Sequence, residues 1–158
     1  MEKKPESQYY AYDLSHIPTP ESAEAYLEMV RKDPNDADSF FLLGALYLKN
    51  NKTVESMEMF EQSARLNPQN WMANFLLGTV YLSYEKWDIA VRYYLKSLKL
   101  VQDFTPLLFN LGLCYEKLDY RTKAINSYKN FMNIEQSQEW LHEVHFRLHK
   151  LGVDIKKA

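Results

Sequence analysis

A pattern that returns every 34 residues constrains this chain more than any other feature. Gly44, Gly78 and Gly112 are evenly spaced, as are Leu43, Leu77 and Leu111, Tyr47, Tyr81 and Tyr115, and the aromatics Phe60, Tyr94 and Tyr128. Three of the four glycines lie on this lattice. Glycine inside a helix costs about 1 kcal/mol relative to alanine, so a glycine kept at one phase needs a shared structural reason. Close approach of a second helix supplies one. Small residues at one phase of the second half-period, Ser56, Ala90 and Ala124, fit two helices crossing with little side chain between them. Each period therefore reads as a helix pair.

Leu-Gly followed by tyrosine three residues later, then the small residue and the aromatic, with Pro34 and Pro68 one period apart, resembles the tetratricopeptide repeat. That repeat is a 34-residue helix-turn-helix unit. The resemblance implies an all-α fold, an α-solenoid of helix-turn-helix repeats wound as a right-handed superhelix. It covers an array over 19–138: a half unit at 19–36 and three full units at 37–70, 71–104 and 105–138. Residues 1–18 form an irregular or partly helical lead, and 139–158 a capping helix with a tail. The sequence departs from the pattern at Gln102 and Gln136, which replace a closing proline, and at Phe131, where a small residue is usual. Tryptophan opens only the second unit, at Trp71, and Phe146 takes the glycine position beyond Glu139.

Local signals agree with this division. Thr19-Pro20-Glu21 starts a helix, with threonine as cap and proline in the first turn, and Ala23, Tyr26, Leu27 and Val30 continue it at helical spacing before Pro34. Asn50 and Asn51 turn the chain inside the first unit. Leu141, Val144, Leu148 and Leu151 define a last helix ending at Gly152, with Glu143, Arg147 and Lys150 on its polar side.

A chain of 158 residues is expected to make one domain, and 46% hydrophobic with 15% aromatic content excludes disorder. With 19 basic against 21 acidic residues there is no basic surplus, so nucleic acid is not expected as a partner. The charge is uneven, with an acidic front and a mildly basic rear. No uninterrupted apolar run reaches membrane-spanning length, and Lys3 and Lys4 lead into Pro5, Glu6 and Ser7 rather than into an apolar stretch. The lone Cys114 has no internal disulfide partner. A cytoplasmic location is expected. Phosphate loops, nucleophile elbows and cysteine pairs are absent from the sequence, so neither enzymatic activity nor a cofactor is expected. His142, His145 and His149 sit at spacings of three and four, but Glu143 does not complete a metalloprotease HExxH pattern; surface or interface histidines without metal are expected.

The functional expectation rests on a second apolar stripe on the first helix of each unit. Phe41, Ala45 and Leu48 lie about a quarter turn or more from the inner stripe Phe40, Leu43 and Tyr47, taking 100° per residue. The same phase holds Phe75, Thr79 and Leu82, then Phe109, Leu113 and Glu116, so the stripe turns polar at its far end. By resemblance this side lines the concave groove, joined by Leu42, Leu76 and Asn110, and its rings are expected to face solvent. The implied partner is an apolar or aromatic segment of a protein. Relatives that clamp a carboxylate use Lys, Asn and Arg at positions where this chain has Phe41, Ala45, Leu76, Pro106 and Asn110, so that mode is not expected. As an alternative, Tyr9, Tyr10, Tyr12 and Ile17 of the lead fill the groove of their own chain or of another protomer, giving a homo-oligomer.

Overall fold

A computed structural model of the chain describes residues 13–17 and 22–154. Among these residues are eight α-helices and no strand: α1 (Glu24–Lys32), α2 (Ala37–Lys49), α3 (Thr53–Leu66), α4 (Trp71–Ser83), α5 (Trp87–Leu98), α6 (Thr105–Lys117), α7 (Arg121–Met132) and α8 (Gln138–Lys150). The architecture is an all-α helical-repeat solenoid. The helices fall into two compact units, α1–α5 within residues 12–100 and α6–α8 within 101–158, where length alone implied a single domain. Repeats contact only their neighbours, so such a chain has no central core to force it into one body. In the first unit α2 packs on α3, α4 on α5, α3 on α4 and α1 on α2; in the second, α6 packs on α7 and α7 on α8.

The helix starts follow the repeat. Asp36 before α2 and Asn70 before α4 stand one period apart, and each side chain accepts a hydrogen bond from a backbone N–H three residues on, Ser39 and Ala73, both at 3.0 Å. At the third equivalent, Phe104 has no capping side chain and Pro106 enters the first turn of α6, where a missing N–H costs nothing. The expected start at Thr19, Pro20 and Glu21 lies outside the described residues; α1 begins at Glu24. The hydroxyl and the backbone N–H of Ser39 hold the Asp36 carboxyl below its ordinary value. Replacing Asp36 with alanine should cost about 1 kcal/mol near neutral pH, as lost caps generally do. A depressed folded-state pKa means that the carboxylate stabilises the fold above the ordinary aspartate range and ceases to do so as pH falls through the folded value. Denaturant curves of the two proteins should therefore converge on acidification.

A turn joins the helices of each pair at a left-handed residue: Asn51 (φ 58°), Glu85 (φ 58°) and Asp119 (φ 61°), again one period apart. The following N–H closes the turn onto the carbonyl five residues back, from Lys52 to Tyr47 at 2.8 Å, Lys86 to Tyr81 at 2.9 Å and Tyr120 to Tyr115 at 2.8 Å. Asparagine tolerates this backbone, whereas glutamate has no local compensation for its Cβ. Glu85→Gly should raise stability by about 1 kcal/mol, and Asn51→Gly by much less, measured as shifts in the denaturation midpoint.

At each lattice glycine the second helix comes close, and an aromatic side chain is what it presents. A Cβ on Gly44 would lie 2.8 Å from Phe60 Cδ1, on Gly78 2.6 Å from Tyr94 Cδ1, and on Gly112 2.7 Å from Tyr128 Cε1. What comes close at all three is an aromatic ring of the second helix laid flush on the first, joined at Gly44 by Met59 Cβ at 3.2 Å. Phe60, Tyr94 and Tyr128 are fully buried, as are the small residues Ser56, Ala90 and Ala124. Cys114 of α6 is buried too, and burial pushes its thiol pKa up to about 12.

In α8, Val144 and Leu148 are buried and Gly152 takes the left-handed conformation (φ 73°) that ends it. The N–H of Val153 returns to the Leu148 carbonyl at 2.9 Å, and Arg121 Nε of α7 donates to the Leu151 carbonyl at 2.8 Å.

Candidate interaction surface

The second stripe of the first helices is largely inside the molecule. In α2, Ala45 is buried, while Phe41, Leu42 and Leu48 are half-buried. In α4, Phe75, Leu76 and Leu82 are buried and Thr79 is half-buried. In α6, Phe109, Asn110 and Leu113 are all buried. The expectation of a row of solvent-facing phenylalanines is thus corrected for Phe75 and Phe109.

The cause is the aromatic that covers each glycine. Phe41 and Phe60, Phe75 and Tyr94, and Phe109 and Tyr128 each stand 5.8 Å apart between ring centroids, so one ring of the second helix contacts both the glycine and the recurring phenylalanine. The same contact therefore accounts for both recurrences. Phe109 is enclosed further by Phe131 at 5.6 Å and by Trp140 of α8, edge-on at 4.9 Å. Phe131, large where a small residue is usual, fills this cluster. Thr79 spans the same layer: its Oγ1 donates to the Phe75 carbonyl at 3.0 Å and lies 3.1 Å from the Tyr94 hydroxyl.

The polar end of the stripe is a clamp between helices. Glu116 Oε2 of α6 accepts from the Tyr128 hydroxyl at 2.8 Å and from Arg147 Nη1 of α8 at 3.0 Å, and Arg147 Nε donates to Glu143 at 2.7 Å. The guanidinium also lies over the Phe109 ring, 5.5 Å from its centre. Burial drives the Tyr128 hydroxyl pKa well above the usual phenol range, so it remains a donor to Glu116. Arg147, expected on the polar side of the last helix, instead ties α8 to α6, and Glu143 braces it from within α8. No motif marks this clamp, because Glu116 and Arg147 are joined by packing rather than by local spacing.

Ahead of α1, a short 3₁₀ turn at Leu14–His16 is capped by Asp13, whose carboxylate accepts from the Ser15 N–H at 2.8 Å. Ile17 is buried, and its carbonyl accepts from Lys49 Nζ in the last turn of α2 at 2.8 Å. Tyr9, Tyr10 and Tyr12 lie outside the described residues.

His142, His145 and His149 are all exposed on α8. Among the described residues no group of three or more His, Cys, Asp or Glu side chains is placed to hold a metal ion, and no helix is long and apolar enough to cross a membrane.

Residues 25–58 and 105–138 each match a family model described as a tetratricopeptide repeat. No curated protein matches the chain. Among solved structures, a MamA protein superposes with a TM-score of 0.74 at 19% identity, over 82% of this chain and 77% of that one. A MamA from Desulfovibrio magneticus gives 0.73 at 16% identity, over 81% and 73%. YrrB, described as a TPR protein with an unusual peptide-binding site, gives 0.74 at 19% identity, over 83% and 68%. At these identities the likeness is one of fold.

Proposed function

We propose, on the premise that this chain is a tetratricopeptide-repeat protein and hence a protein-interaction module, that it works without catalysis by holding an apolar or aromatic segment of a partner against α2 and the neighbouring face of α4. The observation that carries this reading is the apolar group Phe41, Leu42 and Leu48 on α2, which packing leaves only half-buried. Partly covered side chains of this kind gain most when an incoming group completes their enclosure, and a few such anchors carry most of the affinity of an interface. The peptide-binding site of the structural neighbour YrrB supports the same class of partner. Ala45, Phe75, Leu76 and Leu82 serve the site as the packed layer beneath, and Thr79 as its polar edge, whereas Phe109, Asn110 and Leu113 belong to the packing of the other unit. A cytoplasmic location is part of the same proposal.

The test is capture from native lysate by the wild-type chain and by a Leu42→Glu, Leu48→Glu double variant of unchanged helicity. Partners retained by the first and lost by the second are the expected result. Identical capture by both proteins would remove this face from consideration.

The alternative, in which the lead fills the site of its own chain or of another protomer, gains support from Ile17, buried and bonded to the end of α2. Deleting residues 1–18 should then raise partner affinity or alter oligomer size. Titration and light scattering that register no change in either would rule it out.

A further inference from the structure

We infer that the cleft between α3 and α5 is a second docking site, separate from the apolar face of α2, and that it receives an acidic side chain of a partner protein. The cleft has a volume of about 430 Å³ and is lined by Glu61, Ala64 and Arg65 of α3, Leu77 of α4, and Tyr93 and Lys96 of α5.

Its two cations are held in place without a carboxylate. Arg65 donates from Nε and Nη2 to the neutral amide oxygen of Gln62, at 3.2 and 2.6 Å, and the Lys96 ammonium stands over the Tyr93 ring, 4.9 Å from its centre. Glu61 is four residues before Arg65, the spacing at which a helical ion pair is favourable. Among the described residues it nevertheless accepts from the Tyr81 hydroxyl of α4, at 3.0 Å, and forms no ion pair with Arg65. The Tyr81 ring is stacked on Tyr93, 5.5 Å between centroids and 6° from parallel, which fixes that wall. The result is a pocket with an apolar floor, Ala64, Leu77 and the Tyr93 ring, under two cations that form no ion pair with a carboxylate among the described residues.

A carboxylate entering between Arg65 and Lys96 makes two charge-assisted contacts, and its methylenes lie on the floor. Glu61 decides between anions. With Arg65 and Lys96 it leaves the lining one net positive charge, which a single carboxylate matches and a phosphate dianion exceeds, and only a side chain brings methylenes to the apolar floor, so the cleft favours an aspartate or glutamate side chain.

The test uses the whole chain and a fluorescein-labelled peptide of alternating glutamate and leucine, with the glutamine-for-glutamate peptide as its neutral counterpart. Anisotropy should show saturable binding of the acidic probe and none of the neutral one. Arg65→Gln combined with Lys96→Gln should weaken binding by about tenfold or more, and Glu61→Gln should tighten it. Lys86→Gln, at the other end of α5, should change nothing. The Leu42→Glu, Leu48→Glu variant should bind the probe as the wild type does, so failure of one site is distinguishable from failure of the other. Equal binding of the two peptides, an equal loss in Lys86→Gln, or displacement of the probe by inorganic phosphate would overturn the assignment.

Discussion

Gly78→Leu should leave the helix pair α4–α5 unable to close, with loss of cooperative unfolding in circular dichroism. The position lies under the Tyr94 ring, where even a Cβ would stand 2.6 Å from Cδ1 and from Cε1 and 3.1 Å from Cγ. That ring cannot swing aside cheaply. It is fully buried, meets Phe75 at 5.8 Å and has its hydroxyl 3.1 Å from Thr79 Oγ1. The smaller change, Gly78→Ala, separates two opposing effects. Helix propensity favours alanine by about 1 kcal/mol, whereas overpacking a filled core costs about 1–3 kcal/mol, and a contact this short puts the cost toward the upper end. A net loss of about 2 kcal/mol is expected. Leucine adds three more heavy atoms where no space exists for the first, so its penalty should approach the whole stability of a small domain, about 5–15 kcal/mol. Tyr94→Leu beside Gly78→Ala should recover part of the alanine loss, because the obstruction and the residue that meets it then both change. Additive losses in that double variant would show that the ring is not the obstacle.

Phe75→Ala should cost about 3–5 kcal/mol, the usual penalty for emptying a buried aromatic site. Phe75 is completely shielded from solvent, and its removal also takes away a ring contact of Tyr94. Urea unfolding should register the loss as a lower midpoint with an unchanged slope. From the stripe pattern alone, the same substitution would be expected to weaken partner capture and spare the fold, so the two readings make opposite predictions for one protein. Phe41→Ala provides the contrast: its ring is half-buried, and it should lose less than half as much stability.

The difference between these readings shows what a repeat pattern does and does not convey. Recurrence of Gly44, Gly78 and Gly112 identified paired helices, since nothing but a steric requirement keeps glycine at one helical phase. It could not say whether backbone or ring imposes the requirement; that depends on how Phe60, Tyr94 and Tyr128 lie. Phe41, Phe75 and Phe109 were legible as a stripe, yet recurrence at 34 residues is itself the mark of a contact made in every unit. Periodicity alone cannot distinguish a row of rings facing a groove from a row of rings facing the next helix. Asn51 was legible as a turn because asparagine tolerates left-handed backbone. Glu85 and Asp119 occupy the same conformation with no such preference in the case of glutamate, so only their register could have revealed them. The Glu116–Arg147 clamp and the Arg65–Lys96 cleft each join separate helices and carry no motif. They become visible only when the helices are placed.

A shielded, firmly protonated thiol has a practical value. Alkylation and oxidation proceed through an accessible thiolate, and Cys114 in α6 offers neither the access nor the ionisation. The unaltered chain should stay inert to maleimides while folded. A single added cysteine, for instance by Lys86→Cys, would then carry the only dye on the molecule, so ligand titrations could be followed optically with no native side chain sacrificed to suppress background.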